Sequence, residues 1–463
     1  MTKDNSPITI AIIGGGFSGS MVATHLLLGA TFPLDIKIIE RQPLLGRGVA
    51  YGTNSASHLL NVPAGKMSAF PDEPDHFLRW LQAIGNDVKP DTFIPRNIYG
   101  KYIETGLDEA EAKAPNYVHL ERLNDEAIAL QPGTNMATIY LRSGQTIQAD
   151  KIILALGNFP PSDPAVADRS FYKSSRYIGY AWSADAIAGL SAEEPVLLIG
   201  SGLTMVDLAI ALRDSGHKGI IHVVSRHGLF PHPHKPATPY PAFLNPETAP
   251  KNIRALLRLA RQQLQQDSTS EVNWRAVIDS LRPITQQLWQ SLPLEEKCRF
   301  LRHLRPYWEV YRHRAAPKII DAIAQLQQSK QLLIHKGRIQ TYRETATGVE
   351  VLIRNPQADD IIVEVSRAIN CTGPECDYRK FQHPLITNLL QQGLIRPDSL
   401  ALGLDVAPNG ALVSTNGATS ELLFTLGPPR KGSLWETTAV PEIRVQALAL
   451  AKDLIQRLKK DIT

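Results

Sequence analysis

Short runs of β-branched residues, each closed by glycine, recur along this chain. The first is ITIAII at residues 8–13. Its apolar positions are contiguous rather than alternating, the pattern of a parallel strand covered on both faces. Gly14, Gly15 and Gly16 break the run, SGSMVATHLLLGA predicts a helix, and DIKIIE (35–40) predicts a second strand. Residues 196–213, VLLIGSGLTMVDLAIALR, and 219–225, GIIHVVS, repeat the order strand, glycine turn, helix, strand. A second type of segment also occurs twice. Residues 117–148 alternate in strand style and predict an antiparallel ribbon feeding the buried strand KIILAL. Residues 331–372 run in the same way into VEVSRAINCTG.

Two strand–glycine–helix units therefore lie in one chain, the second between the third strand of the first and its return at ELLFTLG (421–427). The pattern predicts an α/β fold of two Rossmann-like dinucleotide-binding domains, the second inserted in the first. The expected partition is 1–165 with 367–463 for the first domain and 190–366 for the second. A helical insertion is expected at about 230–330, where a proline-rich stretch gives way to helical periodicity.

The first glycine turn fits G-x-G-x-x-G at Gly14, Gly16 and Gly19. Gly14 makes the tight turn, Gly16 lets a pyrophosphate approach the backbone, and Gly19 lets the helix pack on the strand. The amides of Gly15, Gly16, Phe17, Ser18 and Gly19 then face an anion at a helix N-terminus. Glu40 stands 21 residues beyond Gly19 at the end of the second strand, the place of an acid that holds a ribose, and Arg41 follows it. The second turn has Gly200 and Gly202, but Met205 fills the third glycine position, which pushes the helix off the strand. Its second strand ends in Ser225, Arg226 and His227, without an acid. A nicotinamide nucleotide bound there is expected to be NADP, with Arg226 pairing its 2′-phosphate.

Other candidates are more diffuse. The long segment after Glu40 is rich in turn formers and offers Arg47, Asn61 and Lys66 as ligand contacts, against ordinary loop residues. Arg96 suits a phosphate, a carbonyl or a structural ion pair. Gly157 and Gly427 each close a core strand, where close approach of a ligand is expected. Thr437 or Thr438 is a candidate cap for the long amphipathic C-terminal helix. Lys297, Arg299, Arg302, Arg305, Arg312 and Arg314 make the insertion basic, with a solvated helix face as the plain reading and an anionic substrate as the alternative. His232 and His234 lack a third partner for a metal, and no metal is expected.

Composition narrows the class. Of 463 residues, 43% are hydrophobic and 20% charged, as in ordinary globular proteins. A net charge of +4 is too small to argue for nucleic acid or membrane. Three cysteines, Cys298, Cys371 and Cys376, are too few for a disulfide framework. No stretch approaches the ~18 apolar residues of a spanning helix, and a secretion signal is not recognisable. A cytoplasmic protein acting on a small molecule is expected; the oligomeric state is not legible.

These features resemble the flavoproteins that carry two dinucleotide-binding units. More narrowly, GRGVAYGT, LLNVPAGKMS, FIPRNIYGKY, IGSGLTMVD, SRHGLFP, LRPYWEVYRHRAAP and GPPRKGSLWETTAVPEIRVQA are similar to segments of the bacterial FAD–NAD(P)-binding protein family, relatives of flavin monooxygenases and N-hydroxylases. The resemblance implies FAD on Gly14, Gly16, Gly19 and Glu40, and a nicotinamide nucleotide near Gly200, Gly202 and Arg226. Two departures stand out: Gly427 is followed by Pro428 rather than the ribityl-binding Asp of the wider group, and the usual Ala-Thr-Gly is Ala155, Leu156, Gly157. The expected activity is an FAD-dependent oxidoreductase reduced by NADPH, passing electrons to oxygen or a small organic substrate. The alternatives are a flavin-binding redox sensor, an oxidase that does not use NAD(P)H, and a disulfide reductase using Cys371 and Cys376.

Overall fold

The computed structural model describes residues 7–53, 55–134, 136–266, 274–355 and 357–462. Two parallel sheets organise it. The first runs, in spatial order, Ala411–Val413, Thr419–Thr425, Lys151–Leu154, Ile8–Ile13, Leu34–Ile39 and Val118–Leu123, with only the Ala411–Val413 edge antiparallel. Both faces are covered, as the contiguous apolar runs require. Ile10 and Ile12 enter the core beneath the helices, while Ala11 and Ile13 enter the one beneath the ribbon Ala127–Pro132, Ala137–Leu141, Thr146–Ala149.

The first glycine helix, Phe17–Gly29, is buried from Phe17 to Leu27. The C-terminal helix Val440–Ile462 and the helix Arg96–Lys113 pack against it. With sheet and helices around it, no polar stripe is left, which explains its lack of amphipathic periodicity.

The second sheet is Leu332–Lys336, Ile221–Ser225, Val196–Ile199, Arg367–Asn370 and Tyr177–Ile178, all parallel. It takes Tyr177–Ile178 from ahead of residue 190 and Arg367–Asn370 from behind residue 366. The expected partition at 190 and 367 is therefore displaced: the second sheet reaches farther in both directions along the chain. Two strands expected in the ribbons, Val118–Leu123 and Leu332–Lys336, are instead parallel edge strands of the main sheets. Exposure of one face at a sheet edge gives the same alternation as a ribbon.

Among the described residues the insertion forms six α-helices: Ile253–Gln266, Trp274–Ser280, Thr285–Ser291, Leu294–His303, Arg305–Arg312 and Pro317–Gln328. It rests on the first unit through Trp289, whose Nε1 donates to the Gly432 carbonyl at 2.8 Å and whose ring packs on Trp435 at 5.1 Å. No helix among the described residues is long and apolar enough to cross a membrane.

Candidate functional site

In each sheet the strand order reverses between the first strand and its neighbour on the far side, and the glycine turn sits at that switch. Gly14 (φ +105°) lies against the carbonyl of Ala155, at the end of Lys151–Leu154. Gly200 (φ +107°) repeats this against Cys371, whose carbonyl oxygen would stand 2.9 Å from an added Cβ. Only glycine takes this backbone conformation without strain and leaves room for the neighbouring strand. Such switch points are where α/β sheets open a crevice for ligands at the carboxyl ends of their strands.

The first turn is a built cradle. A Cβ on Gly19 would overlap the Gly14 carbonyl oxygen, so helix and turn touch only because the residue is glycine. Gly16 is the N-cap of the helix with no side chain capping it, which leaves the Phe17, Ser18 and Gly19 amides without intrahelical partners. Glu40 Oε2 accepts from the Gly15 amide at 2.7 Å and Oε1 from Gln42 at 2.9 Å, so the carboxylate is held at the turn. The segment 46–48 lies over it: the Gly46 amide donates to the Gly15 carbonyl at 2.8 Å, and Gly48 faces Gly16. Beside them Arg47 pairs with Glu104 at 2.9 Å, while its buried Nε has no partner. Uncapped amides, a fixed acid and an orphaned guanidinium nitrogen suit a dinucleotide diphosphate. Arg41 is exposed at the rim.

The second turn is looser. Met205 is fully buried where the first unit has Gly19, and a Cβ on Gly202 would meet nothing within 4 Å. Ser201 donates to Ser225 at 2.8 Å, tying turn to strand. Arg226 is exposed and, among the described residues, forms no ion pair. Arg226, Lys336 and Arg338 all act on His227 and, with burial as the larger cause, lower its pKa. The sequence singled out Arg226; the two cations of the neighbouring strand and hairpin were not legible without the sheet order.

Between the carboxyl edges of the two sheets lies a cleft of about 120 Å³. Val49 comes from the loop over the first turn, Thr204 from the second glycine helix, and Asn158, Phe159, Trp182 and Thr372 from segments that follow core strands or link the sheets. Gly157 (φ +63°) precedes this lining with open space about it. Gly427 (φ +73°) closes the other core strand. Its amide donates to Gln446 Oε1 at 3.0 Å and its carbonyl accepts from Thr437 at 3.0 Å. Thr437 thus fastens this turn rather than capping the C-terminal helix, a role that only the tertiary contact reveals.

Several other candidates are structural. Arg96 forms a buried ion pair with Asp207 of the second glycine helix at 2.8 Å. Burial raises the Asp207 pKa and Arg96 opposes it. His58 adds a hydrogen bond to the Asp207 carbonyl at 3.1 Å. The Asn61 carbonyl accepts from His234 at 2.8 Å, so that histidine joins the insertion to the first unit, while His232 stacks on Tyr311. No group of acidic, histidine and cysteine residues fit to hold a metal occurs among the described residues. Lys66 is exposed. Cys371 is buried and its thiol is pushed well up by burial, the opposite of a redox-active thiolate.

The basic insertion is not only a solvated face. Arg314 turns inward to Asp279 at 2.8 Å, and Arg305, Glu309 and Arg312, at i, i+4 and i+7 of one helix, meet Glu436 and Lys431 of the first unit. That helical spacing was the available signal.

These features define a class, the α/β proteins with two dinucleotide-binding units around a shared cleft. Residues 11–159 match the model of a family described as FAD-NAD(P)-binding. An ornithine N-hydroxylase from Kutzneria sp. 744 has the same fold, with a TM-score of 0.67 at 14% identity over 98% of this chain and all of that one. The ornithine hydroxylase of Pseudomonas aeruginosa gives 0.66 at 14% identity, over 98% and 100%. In sequence, the chain is 28% identical over 258 residues to an L-aspartate N-monooxygenase (nitrosuccinate-forming) of Streptomyces davaonensis, covering 46% of this chain and 39% of that protein. A nitrosuccinic acid synthase of Aspergillus oryzae is 26% identical over 45% of this chain and 36% of its own. The chain thus spans well under half the length of the curated relatives it matches.

Proposed function

We propose that this protein is an FAD-dependent monooxygenase reduced by NADPH and acting on the nitrogen of a small amine. The observation that carries the reading is the pair of glycine turns, each at the switch point of its own sheet, whose carboxyl edges share one cleft. The N-oxygenating relatives supply the reaction class. Bound FAD supplies hydride acceptance from NADPH and electron delivery to oxygen.

The chain's own residues do the rest. The amides of Gly16, Phe17, Ser18 and Gly19 bind the FAD diphosphate, the Gly15 amide holds Glu40 in place to take a ribose, and Arg41 and Arg47 add charge at the rim. Asn61, Gly157 and Gly427 lie on segments bordering the flavin side. Gly200 and Gly202 admit the nicotinamide nucleotide, and Arg226 reads its 2′-phosphate. The domains are one unit built from both ends of the chain and one between them, with the insertion at about 230–330. A cytoplasmic setting accords with the reducing environment that three free cysteines suit.

The test is the flavin absorbance of FAD-loaded protein after anaerobic addition of NADPH or NADH. NADPH should bleach it much faster. Arg226→Ala should weaken NADPH about tenfold or more and leave NADH nearly unchanged, as for loss of one charge-assisted pair. Bleaching by neither nucleotide would overturn the NADPH-dependent reading in favour of a sensor or a substrate oxidase.

A further inference from the structure

The edge of the second sheet that faces away from the cleft carries a pair of cations that the coenzyme reading does not use. Arg367 opens the strand Arg367–Asn370, and Arg176 stands just ahead of its parallel neighbour Tyr177–Ile178. Ala368 is in register with Tyr177, and the Ala368 amide donates to the Arg176 carbonyl at 2.9 Å. One step back in that register the two arginines stand side by side, on backbones about 4.8 Å apart and on one face of the sheet. Like charges placed in this way repel.

The protein does not neutralise them. Among the described residues neither arginine forms an ion pair, and their side-chain hydrogen bonds all run from Nη1 to backbone carbonyls. Arg367 donates to Asp185, Ala186 and Ala188 at 3.0, 3.3 and 2.9 Å. Arg176 donates to Ser366 at 3.3 Å and Thr347 at 3.5 Å. The carboxylates nearby are engaged elsewhere: Glu344 accepts from Ser174 Oγ at 2.6 Å and Glu364 from Thr347 Oγ1 at 3.1 Å. Both guanidinium groups are thus anchored at one nitrogen, with Nε and Nη2 left to face outward.

They face a cavity. Arg176 and Arg367 line a space of about 240 Å³ together with the hydroxyl-bearing Ser175 and Ser366 and one carboxylate, Glu194. Glu194 Oε2 accepts from the Ser191 amide at 2.9 Å, which holds it on the opposite wall and leaves Oε1 open. Two cations against one carboxylate leave one positive charge unmatched. At ~30 Å³ per water the space has room for roughly eight waters, more than one phosphate fills. The cleft shares no residue with it: Asn370, which does line the cleft, is three steps along the strand from Arg367, roughly 10 Å away.

We propose that this cavity is a second ligand site, and that it takes a small phosphate-bearing molecule whose phosphate bridges Arg176 and Arg367. Planar guanidinium forks fixed from behind are suited to a phosphate through parallel charge-assisted hydrogen bonds. Ser175 and Ser366 supply further donors, and Glu194 accepts from a hydroxyl of the same ligand.

Calorimetric titration of the FAD-loaded, full-length protein with inorganic phosphate, glycerol 3-phosphate and glycerol tests this. Both phosphates should bind and glycerol should not. Tighter binding of glycerol 3-phosphate would mark the ligand as a phosphate ester, and equal binding as free phosphate. Arg176→Gln and Arg367→Gln should each weaken both phosphates at least about tenfold, and Arg176→Lys, which keeps the charge without the fork, should recover only part of the loss. Arg176→Gln gives up only the two longest of these carbonyl bonds, so it guards against a folding defect in Arg367→Gln. Bound phosphate should also raise the thermal midpoint of the unaltered protein and not that of Arg176→Gln.

Phosphate binding must survive in Arg226→Ala, since the coenzyme turn is a separate cationic site. Its loss there, unchanged affinity in Arg176→Gln, glycerol binding as well as the phosphates, or no binding of either phosphate would overturn the proposal.

Discussion

His25 shows how one side chain carries a pH dependence. It lies in the first glycine helix, 9% exposed, with its ring edge-on to Phe70 and its Nε2 without a partner. Burial first, and Lys452 second, push its pKa from 6.5 down to about 4, with Asp72 opposing. Between these values the unfolded chain holds a proton that the folded one refuses. The stability is complete above the unfolded pKa and is lost as pH falls through that window. His25→Leu should shrink the loss between pH 7 and pH 4 by on the order of 3 kcal/mol, read from urea unfolding at both pH values; an unchanged difference would refute the assignment. At this scale the sequence was partly legible. Gly14, Gly19 and Glu40 carry their jobs in their spacing. Arg96 and Arg312 do not, because whether an arginine faces solvent or a buried acid depends on a partner more than a hundred residues away.

At the scale of elements, the two glycine turns are an internal comparison. Gly19→Ala places a methyl group into the Gly14 carbonyl. It should lower the thermal midpoint and reduce FAD retention, with a penalty of about 2 kcal/mol or more from forced backbone displacement. Gly202→Ala, at φ −83° with open space around it, should leave the midpoint nearly unchanged but slow reduction by NADPH, since that space is where the coenzyme would approach. Thermal melts and flavin absorbance separate the two effects; equal destabilisation by both would contradict the geometry. Strands, glycine turns and long helices were legible because burial imposes a period on them. The patterns of Val118–Leu123 and Leu332–Lys336 read as ribbon because an edge strand and a ribbon strand share one alternation. The short helix Lys431–Leu434 had too few residues for any period.

Across the whole molecule, Arg96 and Asp207 hold the first unit to the second glycine helix. Arg96→Met leaves a carboxylate buried and unpaired, and should cost about 3–5 kcal/mol. The double variant Arg96→Met, Asp207→Leu should regain most of this, because the stranded charge is gone. Urea midpoints test the pair, and a double variant as weak as the single one would show that the anchor is not electrostatic. If the pair also sets the approach of the two units, NADPH-driven reduction will stay slow in the double variant even as stability returns.

The strand Thr419–Thr425 completes the first sheet by pairing with Lys151–Leu154, and the whole second sheet is encoded between them. A ribosome therefore releases the inner unit while the outer one still lacks a strand and the C-terminal helix. In the interval the apolar flank of Lys151–Leu154 and one side of the first glycine helix stand uncovered. During synthesis, the inner unit can close on its own contiguous chain while the outer one waits. The unit whose synthesis begins first is thus the last to close, and the unfinished FAD-side core is the segment that a chaperone would have to shield.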